Sequence, residues 1–227
     1  MNFIDGIIFS ISYFTTLPIH LKSFKTDKNF YRGIIFGLPF SGLILAIITI
    51  ALAILLPFPL IYKAILCSII YLFLYGFIHL EAVADTIDGL FASLSNKDTY
   101  QIMKEPQIGA LGAIGTFSFM LLKILALFFL LYYQQYLTIM LALFFSRFSL
   151  VFALDLDFHP KSTLLNSLKS SFKPPIILKV IFLPLNILTK LILLKLRRKL
   201  GFINGDTMGF TIELIEIILF NIGVYLC

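Results

Sequence analysis

Charge is scarce in this chain: only 13% of its 227 residues are Asp, Glu, Lys or Arg, whereas 59% are hydrophobic. The mean hydropathy of +0.99 lies far from the balance of a soluble globular domain. Several nearly uncharged runs reach the roughly 20 residues needed to cross a bilayer core, and such runs cross only as helices. The sequence predicts an all-α, polytopic integral membrane helical bundle with about five to seven transmembrane helices.

Cysteine is also scarce. Cys67 lies in an apolar run and Cys227 is the last residue, which gives no support to a disulfide framework or a thiolate metal site. A basic leader with a small-residue cleavage site is missing as well, and Asp5 interrupts the first apolar stretch. We therefore expect residues 1–20 to stay attached rather than to be removed as a signal peptide.

The 18 basic residues outnumber the 12 acidic ones, which gives a net charge of +6. They are concentrated in loops between hydrophobic runs, as juxtamembrane lysines are in proteins that face anionic lipid. This placement argues against a nucleic-acid partner and predicts the lipid bilayer as a partner. Homo-oligomerisation stays open.

Five segments are predicted to cross the membrane, and they are residues 33–56, 58–80, 108–133, 137–154 and 207–226. Residues 3–19 and 175–194 are weaker candidates, because the first contains Asp5 and the second contains Lys179 and Lys190. No internal repeat or linker divides the chain. We interpret residues 1–227 as one membrane-embedded domain.

The basic residues predict the orientation, since cytoplasmic loops carry an excess of Lys and Arg. Lys22, Lys25, Lys28 and Arg32 precede the first clear span and place that end in the cytoplasm. Counting onward, segments 81–107 and 155–174 are also cytoplasmic. One full crossing by 175–194 would place the basic loop near 195–199 outside the cytoplasm, against this rule. Segment 175–194 is therefore expected to cross an even number of times or to lie in the interface.

The stretch "HLEAVADTIDGL" over residues 79–90 carries the strongest chemical signal. In a helix, Glu81, Asp85 and Asp88 lie at i, i+4 and i+7 on one face, where like charges repel. A cation is therefore expected there, and carboxylate oxygens suit Mg²⁺ shared with substrate phosphates. The alternative is that these acids are solvated residues at the end of a span.

Basic residues supply candidate phosphate contacts. Lys104, in "QIMKEPQIG", could bind a phosphate or anchor the chain at the interface. Lys123 and Arg147 lie inside apolar runs, where a charge is costly and faces a bundle interior, a partner or a polar cavity. Either could bind substrate phosphate, although Lys123 could instead snorkel. The glycines Gly109 and Gly112 are expected to serve close helix packing.

Three further polar residues have open roles. Asp206 could cap the last helix, or it could join the acidic face of 79–90. Glu213 lies two turns further on and, with Glu216, suggests a second acidic surface facing the first. His79 could pack at the interface, or it could act as a general base or a ligand.

Three motifs resemble the adenosylcobinamide-GDP ribazoletransferase family, the cobalamin synthases. They are "HLEAVADTIDGLF", "IMKEPQIGALG" and "INGDTMGFTIELIE". The resemblance implies transfer of phosphocobinamide from adenosylcobinamide-GDP to α-ribazole, or its 5′-phosphate, with release of GMP. This is the late step of nucleotide-loop assembly in vitamin B12 biosynthesis, and it implies Mg²⁺ and the bacterial cytoplasmic (inner) membrane.

By the same resemblance, Asp85, Asp88 and His79 are candidate catalytic residues. The metal would be held by Glu81, Asp85, Asp88 and Asp206, and substrate would be bound by Lys104, Arg147 and Glu213. The position of Lys123 within an apolar run, and not the resemblance, adds it to the candidates for substrate binding. Glu81 and Glu105 stand where the family usually has Asp, Ala82 replaces a glycine, and Pro106 and Gln107 replace small polar and basic residues.

Two alternative functions remain at this point. "DTIDG" resembles the core of the CDP-alcohol phosphotransferases, but the rest of that family's pattern does not follow. A small-molecule transporter could use Glu213, Arg147 and Lys123 as an ion path. Inverted repeats would support a transporter, and the sequence has none.

Overall fold

The computed structural model describes residues 2–19, 25–95 and 98–227, so Lys22 of the orientation argument lies outside the described residues. Within these ranges the chain forms α-helices and no strands. The helices are α1 (Asn2–Phe14), α2 (Lys28–Leu55), α3 (Leu60–Leu74), α4 (Ile78–Leu94), α5 (Thr99–Ile102), α6 (Ala110–Tyr132), α7 (Tyr136–Phe148), α8 (Leu150–Ala153), α9 (Thr163–Ser171), α10 (Ile176–Ile181), α11 (Leu183–Leu200) and α12 (Gly205–Tyr225).

Four stretches of the described chain are long and apolar enough to cross a membrane: α2, α6, the run Tyr136–Ala153 formed by α7 and α8, and α12. Helices α3 and α4 become a fifth span if the bent pair is counted as one. The prediction of a polytopic, all-helical membrane protein is confirmed.

The predicted span over 58–80 is broken. Helix α3 ends at Leu74 and α4 starts at Ile78, and the two are bent by 77° relative to each other. Gly76 and Phe77 between them have φ angles of 68° and 57°. Because this left-handed conformation cannot continue an α-helix, the acidic stretch begins a helix of its own.

The two weaker candidate spans do not form long apolar helices. Helix α1 has 13 residues, packs along α2 and is too short to span alone. Segment 175–194 forms α10 and most of α11, neither of which qualifies as a span. Whether this segment crosses an even number of times or lies in the interface stays a prediction.

Packing divides the chain into two compact units. The first contains Met1–Phe77, Leu121–Phe148 and Ile215–Cys227, and the second contains Ile78–Met120 and Ser149–Leu214. Helices α6 and α12 contribute residues to both. The interpretation of residues 1–227 as a single domain stays a prediction.

In the first unit, α2 packs against α1, α3 and α7. It begins at Lys28 because Asp27 caps it: the Asp27 carboxylate accepts hydrogen bonds from the backbone N–H of Phe30 at 2.8 Å and from the Asn2 side chain at 2.7 Å. The cap also joins the start of α1 to the start of α2.

In the second unit, a hydrophobic core joins the three predicted motifs. It contains Val83 of α4, Met103 after α5, Leu196 and Leu200 of α11, and Phe210 of α12. Met103 is 1% exposed and immediately precedes Lys104. Burial of Met103 therefore fixes the place from which Lys104 projects.

Candidate functional site

Helix α4 carries the acidic stretch, as the spacing of its residues predicts. Glu81 is exposed, and Asp85 and Asp88 are partly buried. Val83 and Thr86, on the other side of the helix, are fully buried. The core thus fixes the rotation of α4 and directs its three carboxylates to a common face.

The start of α12 is capped by Asn204 and not by Asp206. The Asn204 side-chain oxygen accepts a hydrogen bond from the backbone N–H of Thr207 at 3.0 Å, and the Thr207 hydroxyl accepts one from the backbone N–H of Asn204 at 2.9 Å. This reciprocal pattern gives hydrogen-bond partners to backbone N–H groups at the start of the helix. The N-cap interpretation of Asp206 is therefore wrong, and its carboxylate is available for other contacts.

Asp206 pairs with Lys104. The Lys104 Nζ atom lies 3.0 Å from Asp206 Oδ2, and the Asn204 side-chain amide donates to the same oxygen at 2.8 Å. Partial burial works against the charge on Lys104, but the hydrogen bond to Asp206 and the nearby negative charges together outweigh burial and raise the pKa of Lys104. The contact joins two sequence motifs that are 102 residues apart.

Asp85 lies where the charges of all three motifs act together. The charged groups that act on it include the carboxylates of Asp206, Glu81 and Asp88 and the ammonium of Lys104. Three carboxylates around a fourth repel one another, and one ammonium compensates only part of this repulsion. We call Glu81, Asp85, Lys104 and Asp206 the acidic site.

Asp88 has a different environment from the other acids. Its carboxylate accepts hydrogen bonds from the backbone N–H groups of Gly109 at 2.7 Å and Gly112 at 2.8 Å, at the start of α6. A Cβ atom at either glycine would overlap this carboxylate. The two glycines therefore admit the Asp88 side chain to the helix terminus, which is more specific than the expected packing role.

The donor set of the acidic site suits a hard divalent cation. Among the described residues, no group of three or more His, Cys, Asp or Glu side chains is arranged as a metal site. Glu81, Asp85 and Asp206 nevertheless supply only oxygen donors, which Mg²⁺ prefers, and their net charge is negative. Mg²⁺ binding stays a prediction. Both carboxylate oxygens of Asp88 accept hydrogen bonds at the start of α6, and its metal-binding and catalytic roles also stay predictions.

Lys123 and Arg147 lie in the first unit and share one carboxylate. Lys123 Nζ is 2.9 Å from Glu216 Oε1, and Arg147 Nη1 is 2.8 Å from Glu216 Oε2. The Tyr71 hydroxyl donates to Glu216 at 2.7 Å. The three charged side chains are at most 1% exposed. The substrate-binding roles of Lys123 and Arg147 stay predictions.

Glu216 is the residue whose surroundings the sequence interpretation assigned wrongly. We expected it to form an acidic surface with Glu213, but it faces inward to two cations. The signal was present in the sequence, because two basic residues within apolar runs require a buried anion.

His79 and Glu213 belong to the second unit and are 4% and 0% exposed. Near them, α12 approaches α4 closely at Gly209, where an added Cβ would lie 2.6 Å from the Ala82 Cβ and 3.5 Å from His79 Nδ1. Ala82 and Gly209 thus form a small-residue contact that brings the two motif helices together. The roles predicted for His79 and Glu213 stay predictions.

The chain is similar to known proteins over nearly its whole length. It is 30% identical to an adenosylcobinamide-GDP ribazoletransferase of Treponema denticola over 97% of this chain and 98% of that protein. It is 28% identical to one of Alkaliphilus oremlandii, over 97% of each. A third, from Acetivibrio thermocellus, is 32% identical over 48% of this chain and 44% of its own.

No solved structure matches the chain significantly. The family model described as cobalamin-5-phosphate synthase matches residues 6–224, which include all three motifs and the residues of the acidic site. This chain therefore belongs to the cobalamin-5-phosphate synthase family.

Proposed function

We propose that this chain transfers the phosphocobinamide moiety of adenosylcobinamide-GDP to α-ribazole, or to its 5′-phosphate, and releases GMP. Membership of the family makes the chain a transferase of cobalamin biosynthesis that acts in nucleotide-loop assembly. The similarity extends over almost the whole chain, so the proposal does not rest on a shared fragment.

One observation carries the proposal: the Lys104–Asp206 ion pair, beside Asp85, brings the three motifs to one place. Transfer between two phosphate esters depends mainly on positioning the reactants and neutralising charge. Lys104 supplies a cation that can exchange Asp206 for a substrate phosphate, because its side chain is 52% exposed.

Glu81, Asp85 and Asp206 are the residues that would hold Mg²⁺. When bound, the ion would supply positive charge to the pyrophosphate of the substrate. The Asn204 amide orients Asp206 through its 2.8 Å hydrogen bond, and the buried Met103 orients Lys104. His79 and the carboxylates remain the candidates for the base that accepts the proton of the attacking hydroxyl.

We place the acidic site on the cytoplasmic face of the bacterial inner membrane. Lys25, Lys28 and Arg32 lie before or at the start of α2, and further basic residues lie between α8 and α12. This distribution supports the orientation through the excess of Lys and Arg in cytoplasmic loops.

The experiment measures GMP release by purified protein supplied with adenosylcobinamide-GDP, α-ribazole and Mg²⁺. We expect release that stops on chelation, returns with added Mg²⁺ and is abolished by Asp85→Asn. The exposed Asp157→Asn is the matched control and should retain activity. Absence of GMP release by folded wild-type protein, or a fully active Asp85→Asn variant, would contradict the proposal.

A further inference from the structure

Helices α10 and α11 expose a continuous apolar surface in the second unit. On α11, Leu183, Ile187, Leu191 and Leu194 are 38–52% exposed. They are separated by four, four and three residues and therefore share one face of the helix. We call these four residues the apolar stripe. On α10, exposures of 62–77% are found for Ile176, Ile177, Val180 and Ile181.

The apolar stripe is too short to cross a membrane. From Leu183 to Leu194 it covers eleven steps of a helix, or about 16 Å. The hydrocarbon core is about 30 Å thick, so the stripe reaches roughly half of it. A helix with this apolar length suits one leaflet.

Another face of α11 packs against protein. Leu193, Leu196 and Leu200 are buried. Lys179 of α10 and Lys190 of α11 both place their Nζ atoms 2.8 Å from Asp155 Oδ2. The Asp155 carboxylate thus compensates the lysines in the apolar part of the two helices, which lowers the cost of placing them next to lipid.

The apolar stripe ends in basic residues. Arg198 lies four residues after Leu194, and Lys195 lies four residues after Leu191. Both basic side chains are exposed. Long basic side chains at the end of an apolar face extend to the level of lipid headgroups.

We propose that α10 and α11 lie in one leaflet, with the apolar stripe among acyl chains and Lys195 and Arg198 bound to the phosphates of anionic phospholipids. The arrangement places basic side chains at the end of an apolar stripe that reaches about half of the hydrocarbon core, and basic residues at the membrane surface attract anionic lipid. It assigns to this segment a binding surface that is separate from the acidic site.

Insertion depth provides the first test, because the chain has no tryptophan and a single introduced one is a unique reporter. In vesicles of brominated lipid, fluorescence of Leu191→Trp should be quenched most by bromine near the headgroups. The reference is Leu122→Trp at the middle of α6, where quenching by deep bromine should dominate. A deep pattern for Leu191→Trp would indicate a full span. No quenching would indicate water or a second copy over the stripe, and either result would overturn the proposal.

Lipid selectivity provides the second test. Full-length protein is released from nanodiscs of phosphatidylcholine and phosphatidylglycerol, and native mass spectrometry measures the phosphatidylglycerol retained. Lys195→Gln/Arg198→Gln should weaken this binding about 25-fold, since each basic residue near the surface is worth roughly fivefold. The control Lys161→Gln/Lys173→Gln removes the same charge from exposed positions outside the apolar stripe. Equal losses in both variants, or no loss in either, would refute a specific site.

Discussion

The carboxylate of Asp88 is held by the backbone of Gly112, whose N–H donates to it at 2.8 Å. A second hydrogen bond comes from Gly109 at 2.7 Å. A carboxylate at this position meets unpaired N–H groups and the positive end of the helix dipole. Asp88 therefore fixes the start of α6 against α4, so one acid of the motif has a structural task.

Gly112→Ala should damage this contact, because the added methyl group would overlap the Asp88 carboxylate. We expect a loss of about 1–3 kcal/mol in stability, typical of overpacking. Thermal unfolding of the purified protein measures it. Gly205→Ala is the matched control, since a Cβ there meets nothing within 4 Å. Equal stability of the two variants would show that Asp88 does not need the space at Gly112.

Asp88→Asn and Asp85→Asn should differ in what they lose. The Asp88 variant removes the charge and one acceptor from the start of α6, with an expected cost of about 1–2 kcal/mol in stability. Asp85→Asn should unfold like the wild type and release no GMP, because Asp85 belongs to the acidic site. Thermal unfolding and GMP release on the same samples separate the two roles. An Asp88→Asn variant with wild-type stability would disprove the structural task.

The acidic face of α4 and most of the membrane spans could be predicted because both depend on local periodicity. Glu81, Asp85 and Asp88 share a face in any helix, and an apolar run of sufficient length predicts a span wherever its neighbours lie. The break at Gly76 and Phe77 was missed because apolar residues continue on both sides of it.

The contacts of the acids could not be predicted because they depend on which segments pack together. Asp88 meets the start of α6 only in the folded protein, and the apolar surroundings of Lys123 and Arg147 indicate a buried anion without indicating which acid supplies it. The cap of α12 is Asn204, two residues before the candidate Asp206, and helix boundaries are uncertain at this scale.

The contact between Ala82 and Gly209 offers a test by compensation. Gly209→Ala would place its Cβ 2.6 Å from the Ala82 Cβ and push α12 from α4. We expect lower thermal stability and lower GMP release, with a cost of about 1–3 kcal/mol. Ala82→Gly in the same chain should recover much of both, because it removes the opposing methyl group. A double variant as damaged as Gly209→Ala alone would argue against direct contact.

Asp155 should stabilise the second unit in a pH-dependent manner. Burial opposes its charge, but the hydrogen bonds and the positive charges of Lys179 and Lys190 together outweigh burial and lower the pKa of Asp155 below its ordinary value of 3.8. The stabilisation is therefore present above pH 3.8 and is lost as the pH falls through the lower folded-state pKa. Wild type should exceed Asp155→Asn in thermal stability at neutral pH, and the difference should shrink as the pH falls below 3.8. A constant difference across this range would exclude the carboxylate charge as its source.

Glu216 neutralises two buried cations, so its removal should be more damaging than the loss of an exposed acid. Glu216→Gln would leave Lys123 and Arg147 without their shared carboxylate, and breaking a buried ion pair costs about 3–5 kcal/mol. The control is Asp157→Asn, because Asp157 is 77% exposed and its pair with Lys169 is largely solvated. Thermal unfolding should show a large loss of stability for Glu216→Gln and little change for Asp157→Asn. Adding Lys123→Met to Glu216→Gln should restore part of the stability by removing one of the two buried cations that the Glu216 carboxylate compensates. Wild-type stability of Glu216→Gln would mean that Glu216 is not what compensates the two cations.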